Sequence, residues 1–284
     1  MKSFFVAFAG LVLSVGCLVG CKPTVTSSTE SITFDTLAID TTCTLFHTYE
    51  RPACHLTICL PKPVATTPAE TLHAMELFIA SLPKDGSLVS DSNGGLAGMA
   101  ESYVRSYIMQ YLQEGREAIG NRETDNEMVE AAATWMNYEE IIQGQVLYND
   151  HGMVSYQVRT ESFSGGAHGS RMFDNGVFNL ATLDQVTLTD LFAEDAISKL
   201  AEALKQKLLD MNDCTTLEQL EEKGKYLAPN VIEATDNFYI DNEGITWTYD
   251  PYEIAPYSAG EINIRLTWDE VRPLMLADNP MASL

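Results

Sequence analysis

The apolar residues change their spacing at one place in the chain, and that change limits the fold. Upstream of Met136, Leu96, Met99, Ala100, Tyr103, Tyr107 and Tyr111 recur every three or four residues, the spacing that lays one stripe along a helix. Downstream of Tyr138 the period drops to two, and Val154, Tyr156 and Val158 alternate with Ser155, Gln157 and Arg159, as in a strand with one buried face. Helical and strand segments therefore come in runs. A doubly wound parallel sheet needs strict alternation, so the expected class is α+β, with antiparallel sheets packed against helices in two fused subdomains, 32–182 and 183–284.

Local signals fill in the elements. Ile32–Ile39 and His55–Leu60 have strand composition. Thr67 as N-cap, Pro68 at the first helical position and Glu70 predict a capping box, with Pro83 ending the helix. Leu96–Ala118 is the longest helix, and its three tyrosines read first as core residues with wet hydroxyls, otherwise as a binding face. Tyr138–Tyr148 and Met153–Phe163 form a hairpin about the turn Asn149–Gly152, followed by a strand at Met172–Leu180. A helix over Ala196–Met211 precedes strands at Phe238–Ile240, Ile245–Tyr249 and Ile262–Leu266. Thr267 and Glu270 cap a last helix, which Pro273 tolerates only in its early turns.

Charge and the N-terminus restrict location and partners. The chain has 40 Asp and Glu against 17 Lys and Arg, a formal net charge of −23. Such a surface repels phosphate backbones, which excludes nucleic acid, and attracts basic partners. Met1–Gly20 carries Lys2 and the apolar run Phe4–Val19, the layout of a secretory leader too short to span a bilayer comfortably. It ends Leu18-Val19-Gly20-Cys21, which resembles the bacterial lipobox and predicts cleavage before Cys21 and diacylglyceryl attachment to its thiol. The alternative is an ordinary leader that contains a cysteine. Ser- and Thr-rich 21–31 reads as a flexible tether. The protein is thus expected to be exported and to touch the membrane through lipid alone.

Four further cysteines remain: Cys43, Cys54, Cys59 and Cys214. An even number in an exported chain suggests two disulfides. Cys54 and Cys59 lie too far apart along one extended run to join each other. With a hairpin turn at 49–52, Cys43 falls near Cys59 and leaves Cys54 for Cys214. The alternative is free buried thiols. A metal site is not expected, because no C-x-x-C spacing occurs.

Sequence signatures of catalysis are missing. There is no H-E-x-x-H, G-x-S-x-G or Walker loop, and Pro83 spoils the S-x-x-K match at Ser81–Lys84. No catalytic residue and no cofactor is expected. Two segments stand out instead. In Ser164-Gly165-Gly166-Ala167-His168-Gly169, the small residues permit positive φ and a nest of backbone N–H groups, beside a titratable His168. Its plainer reading is a tight turn between strands. In Asp250–Gly260, Tyr252, Glu253, Pro256 and Tyr257 make a stiff loop with amphipathic anchors. Asp250, Glu253 and Glu261 also raise paired-carboxylate chemistry, but spacing alone does not face them together.

Four separated motifs, Phe163–His168, Phe178-Asn179-Leu180, Leu188-Thr189-Asp190-Leu191-Phe192 and Tyr252–Gly260, resemble those of a bacterial domain family. The family is shared by the lysozyme-sensing anti-sigma factor of Gram-positive bacteria and the non-catalytic N-terminal module of a peptidoglycan deacetylase, and it also occurs alone in exported lipoproteins. The resemblance spans about residues 32–278. With no deacetylase domain following and no transmembrane helix preceding, neither of those two roles is expected here. The resemblance implies a non-catalytic envelope protein that binds a basic lysozyme-like protein or peptidoglycan through Ser164–His168 and Tyr252–Tyr257. The competing expectations are a cell-wall hydrolase using His168 and a carboxylate, and a purely structural lipoprotein.

Overall fold

The computed structural model describes residues 31–46, 49–89, 94–120, 126–224, 226 and 232–282. The leader, Cys21 and all of the tether except Ser31 lie outside these residues. Six strands make the first sheet: β1 (Phe34–Thr44), β2 (Ala53–Pro63), β3 (Tyr138–Asp150), β4 (Met153–Phe163), β5 (Ser170–Asn179) and β6 (Asp184–Val186), in that order across the sheet. All neighbours are antiparallel except β2 and β3. That parallel pair has a structural cause. Between them run α1 (Ala69–Ser81), α2 (Gly95–Ile119) and α3 (Asn126–Ala132), a crossover long enough to bring the chain back to the same end. β6 still belongs to this sheet, so the sheet crosses the 182/183 division.

The helices cover one sheet face. Leu56, Ile58 and Leu60 of β2, Ile142 of β3 and Val154, Tyr156 and Val158 of β4 pack against Met75, Phe78 and Ile79 of α1 and Leu96, Met99 and Ala100 of α2. Contact is close enough that a Cβ at Gly176 of β5 would stand 2.8 Å from the Phe78 ring. Helix α1 begins one residue later than its capping signal suggests. Thr67 donates its N–H to Val64 O (2.9 Å) in a preceding turn, and Pro68 takes the N-cap position without a side-chain cap. The box at Thr67 and Glu70 is therefore not formed.

The other sheet face carries the C-terminal elements. After α4 (Leu188–Leu191), α5 (Glu194–Met211) and α6 (Leu217–Glu222) comes a three-stranded antiparallel sheet of β7 (Phe238–Ile240), β8 (Gly244–Tyr249) and β9 (Ile262–Thr267), closed by α7 (Trp268–Val271). Here both arms of the Thr267–Glu270 box are present. Leu200, Leu204 and Leu208 of α5 share a core with Phe238, Trp247 and Ile264, and Met153 and Val177 of the first sheet enter it. Among the described residues no helix is long and apolar enough to cross a membrane.

The disulfide expectation is overturned: Cys43, Cys54, Cys59 and Cys214 are all free. The β1–β2 register places Cys43 opposite Cys54 and Cys59 opposite Ala38. The reversal is closed by Leu45 N–H on Pro52 O (2.9 Å), earlier than a turn at 49–52. Cys214 lies in the C-terminal core, whereas Cys54 packs with Tyr111 and Met136 beneath α2 and α3. Burial, and then the neighbouring Cys43, push the Cys54 thiol up to about 11.

Candidate functional site

The first loop joins β4 to β5. Gly165 and Gly166 hold φ of +88° and +96°, where a side chain is strained. A Cβ at Gly165 would come within 2.3 Å of Trp135 O, so glycine lets this loop lie against the turn after α3. Ala167 and His168 are exposed, and His168 Nδ1 hydrogen-bonds the Gly169 carbonyl at 2.9 Å.

The second loop follows β8. Buried Ile254 and Ala255 fix it to the core. The turn is closed by Tyr252 N–H on Ala255 O (2.9 Å), Glu253 N–H on Asp250 O (3.0 Å) and Asp250 N–H on Glu253 Oε2 (2.8 Å). Tyr252 is held at φ +73° and is 56% exposed. For a tyrosine that left-handed conformation is strained by about 1–2 kcal/mol, a cost that accumulates at functional positions. Pro256 leads into a short 3-10 turn, Tyr257–Ala259.

The two loops meet. His168 stacks on Tyr257 with centroids 5.1 Å apart and planes at 25°. Tyr252 lies 5.7 Å from Tyr257 and 6.5 Å from His168. Three rings from distant segments thus form one partly exposed platform. Asp250 fixes its position, accepting Phe173 N–H of β5 at 2.7 Å through Oδ1 and Lys84 Nζ at 3.1 Å through Oδ2. Lys84 also reaches buried Asp174 at 3.3 Å. Burial raises the Asp174 carboxyl above its ordinary range, and the Lys84 charge opposes this. Asp250 and Glu253 therefore have structural partners. His168 meets a carbonyl and two tyrosines.

Ser164 joins a second feature, a cavity of about 420 Å³ beneath the C-terminal half of α2. It arises because helix and sheet turn polar at the same level. Along α2, Leu96, Met99 and Ala100 give way to Tyr103, Tyr107 and Tyr111. On the facing sheet side, Ile142 gives way to Glu140 and Tyr138 on β3, and Val158 to Thr160 and Ser162 on β4. Tyr103 donates to Glu140 Oε1 (3.1 Å), Tyr138 to Glu114 Oε2 (3.1 Å) and Tyr111 to Met136 O (3.1 Å). Glu140 is 3% exposed. Its burial pushes the carboxyl up to about 6, held back by hydrogen bonds from Ser162 and Tyr103 and aided by Asp85. Glu140 is absent from the sequence-derived candidates. No alternation in Glu139-Glu140-Ile141-Ile142 marks it in the sequence; the β3–β4 register puts it on the same face as buried Ile142. Among the described residues no group of three or more His, Cys, Asp or Glu is placed to hold a metal ion.

Residues 189–269 match the family described as "Protein of unknown function (DUF3298)". That stretch includes β7–β9 and the Tyr252–Tyr257 loop but neither the Ser164–His168 loop nor the cavity. The crystal structure of a DUF3298 family member from Bacteroides fragilis is similar at TM-score 0.76 and 27% identity, covering 90% of this chain and 98% of that one. A DUF3298 family protein from Pseudomonas aeruginosa shares the fold at TM-score 0.58 and 16% identity, covering 86% and 94%. No curated protein matches the chain. The chain carries a segment that matches DUF3298, and its fold is the one held by crystal structures of members of that family.

Proposed function

We propose that this is an exported, lipid-anchored binding protein of the bacterial cell envelope, which holds a lysozyme-like protein or a cell-wall glycan on the platform of His168, Tyr252 and Tyr257. The observation that carries the reading is the meeting of those three rings from two loops far apart in sequence. Tyrosine suits such a face because it has few rotors, a broad apolar body and one polar tip. The strain at Tyr252 fits a side chain held for contact with a guest. A net charge of −23 favours encounter with a basic protein, and stacked rings favour the apolar faces of sugars.

Capture of a lysozyme and of peptidoglycan fragments by the immobilised protein tests this. Tyr257→Ala and His168→Ala are expected to weaken capture about tenfold each, ~1.4 kcal/mol, with the thermal midpoint nearly unchanged. The guest that responds names the class. Capture of neither, or capture indifferent to both substitutions, refutes the platform. Anchoring has its own readout. Mass spectrometry of protein from its native membrane should find a mature chain beginning at an acylated Cys21, and an uncleaved, unacylated chain would remove that part of the proposal.

A further inference from the structure

We infer that the cavity under α2 is a binding site for a small organic ammonium ion, separate from the platform. Its charge is one-sided. Asp85, Glu114 and Glu140 line it, and among the described residues no Lys, Arg or His does. An anionic ligand would be repelled by them. A neutral one would leave the Glu140 carboxylate desolvated without an opposite charge.

Thr160 points independently to a ligand. It is 4% exposed, it lines the cavity, and its Oγ1 has no hydrogen-bond partner. An orphaned buried hydroxyl is costly, and because Oγ1 is closed to solvent, a turn of the Thr160 side chain toward a polar ligand atom is what would offset that cost. Tyrosine rings complete the lining, and aromatic faces attract ammonium groups while packing against their apolar substituents. About 420 Å³ lies within the range of small-molecule sites. The raised Glu140 carboxyl fits the same reading, since a cation beside it would offset the loss of solvation that burial imposes.

Titration of the purified full-length protein with two ammonium probes and their uncharged isosteres tests the inference. The pairs are choline with 3,3-dimethylbutan-1-ol, and benzylamine with benzyl alcohol. Each ammonium probe should saturate the protein and bind about tenfold tighter than its isostere. Glu140→Gln, which keeps size and hydrogen bonding, should reduce that preference several-fold, with Asp85 and Glu114 retaining the rest. Tyr107→Leu should weaken the ammonium probes several-fold and the alcohols little, a second variant in case the first perturbs folding. His168→Ala should leave all four affinities unchanged, which separates failure here from failure of the platform. Equal binding within the pairs, no saturable binding at ~10 mM, or a preference undiminished in Glu140→Gln would overturn the assignment. Saturation by glucose with the ammonium probes inert would also overturn it and make the cavity a polyol site.

Discussion

Glu140→Gln is expected to stabilise the folded protein by about 2 kcal/mol at pH 7 and to leave its stability nearly unchanged near pH 4. Burial raises the folded-state carboxyl from 4.5 to about 6. The folded chain therefore binds this proton more tightly than the unfolded chain. Below pH 4.5 both states are protonated and the shift contributes nothing adverse. As pH rises through 6, the folded protein must hold a desolvated charge, and stability relative to a neutral side chain falls. At roughly 1.36 kcal/mol per pH unit, the full difference is about 2 kcal/mol. Glutamine still accepts the hydrogen bond that Tyr103 donates to Oε1, and the Ser162 hydroxyl can turn to accept from its amide. Urea unfolding of both proteins from pH 4 to pH 8 measures the effect. The quantity to compare is the difference between them, because the other carboxylates titrate in both. A difference that stays flat across this range would show that Glu140 is well solvated or already paired with a cation. Paired with the ammonium titrations, a more stable variant with a weakened charge preference would identify Glu140 as a group whose burial serves binding at the expense of stability.

Much of the architecture follows from spacing alone. The change of period near residue 137 separates the α2 stripe from the β3–β4 hairpin, and Gly165 and Gly166 mark the loop that closes the next hairpin. Spacing does not show which elements meet. The parallel β2–β3 pairing depends on three intervening helices returning the chain to one end of the sheet. The cysteine register depends on where one reversal is centred, and moving that centre by two and a half residues exchanges Cys59 for Cys54 opposite Cys43. Glu140 is hidden for another reason. In Glu139-Glu140-Ile141-Ile142 the polar and apolar residues do not alternate, so the sequence does not say which glutamate points inward. Pairing with Ser162 settles it, because Ser162 and Thr160 continue the row of Val154, Tyr156 and Val158 on that face. The meeting of His168 with Tyr252 and Tyr257 was equally invisible as geometry, although both loops stand out by composition. It depends on polar groups that join the two sheets.

Asn237 is the strongest of those groups, and Asn237→Ala is expected to destabilise the protein by about 3–5 kcal/mol. The residue is 8% exposed, and its side chain uses both ends of the amide. Oδ1 accepts Asn175 N–H at 2.8 Å and Asn175 Nδ2 at 2.9 Å. Nδ2 donates to Phe173 O at 2.9 Å and Thr248 O at 3.0 Å. Alanine would orphan four groups where β5 meets the second sheet, in a space where a truncated side chain also leaves a void. Ser155→Ala is the graded comparison, because Ser155 Oγ donates to Ile240 O and accepts Ile240 N–H, both at 2.9 Å, and so orphans only two. Its cost should be about half, ~2 kcal/mol. The denaturant midpoints of the two variants should fall in that order, with the slope of the transition unchanged. If both cost less than about 1 kcal/mol, the sheets are held together by apolar contact alone and the polar contacts are incidental. A further consequence links stability to the site. Asn237 bonds the carbonyl of Phe173, whose N–H in turn holds Asp250 at the root of the Tyr252–Tyr257 loop. Loosening Asn237 should therefore let that loop drift from His168, and guest capture should weaken in Asn237→Ala even at temperatures where the variant remains folded.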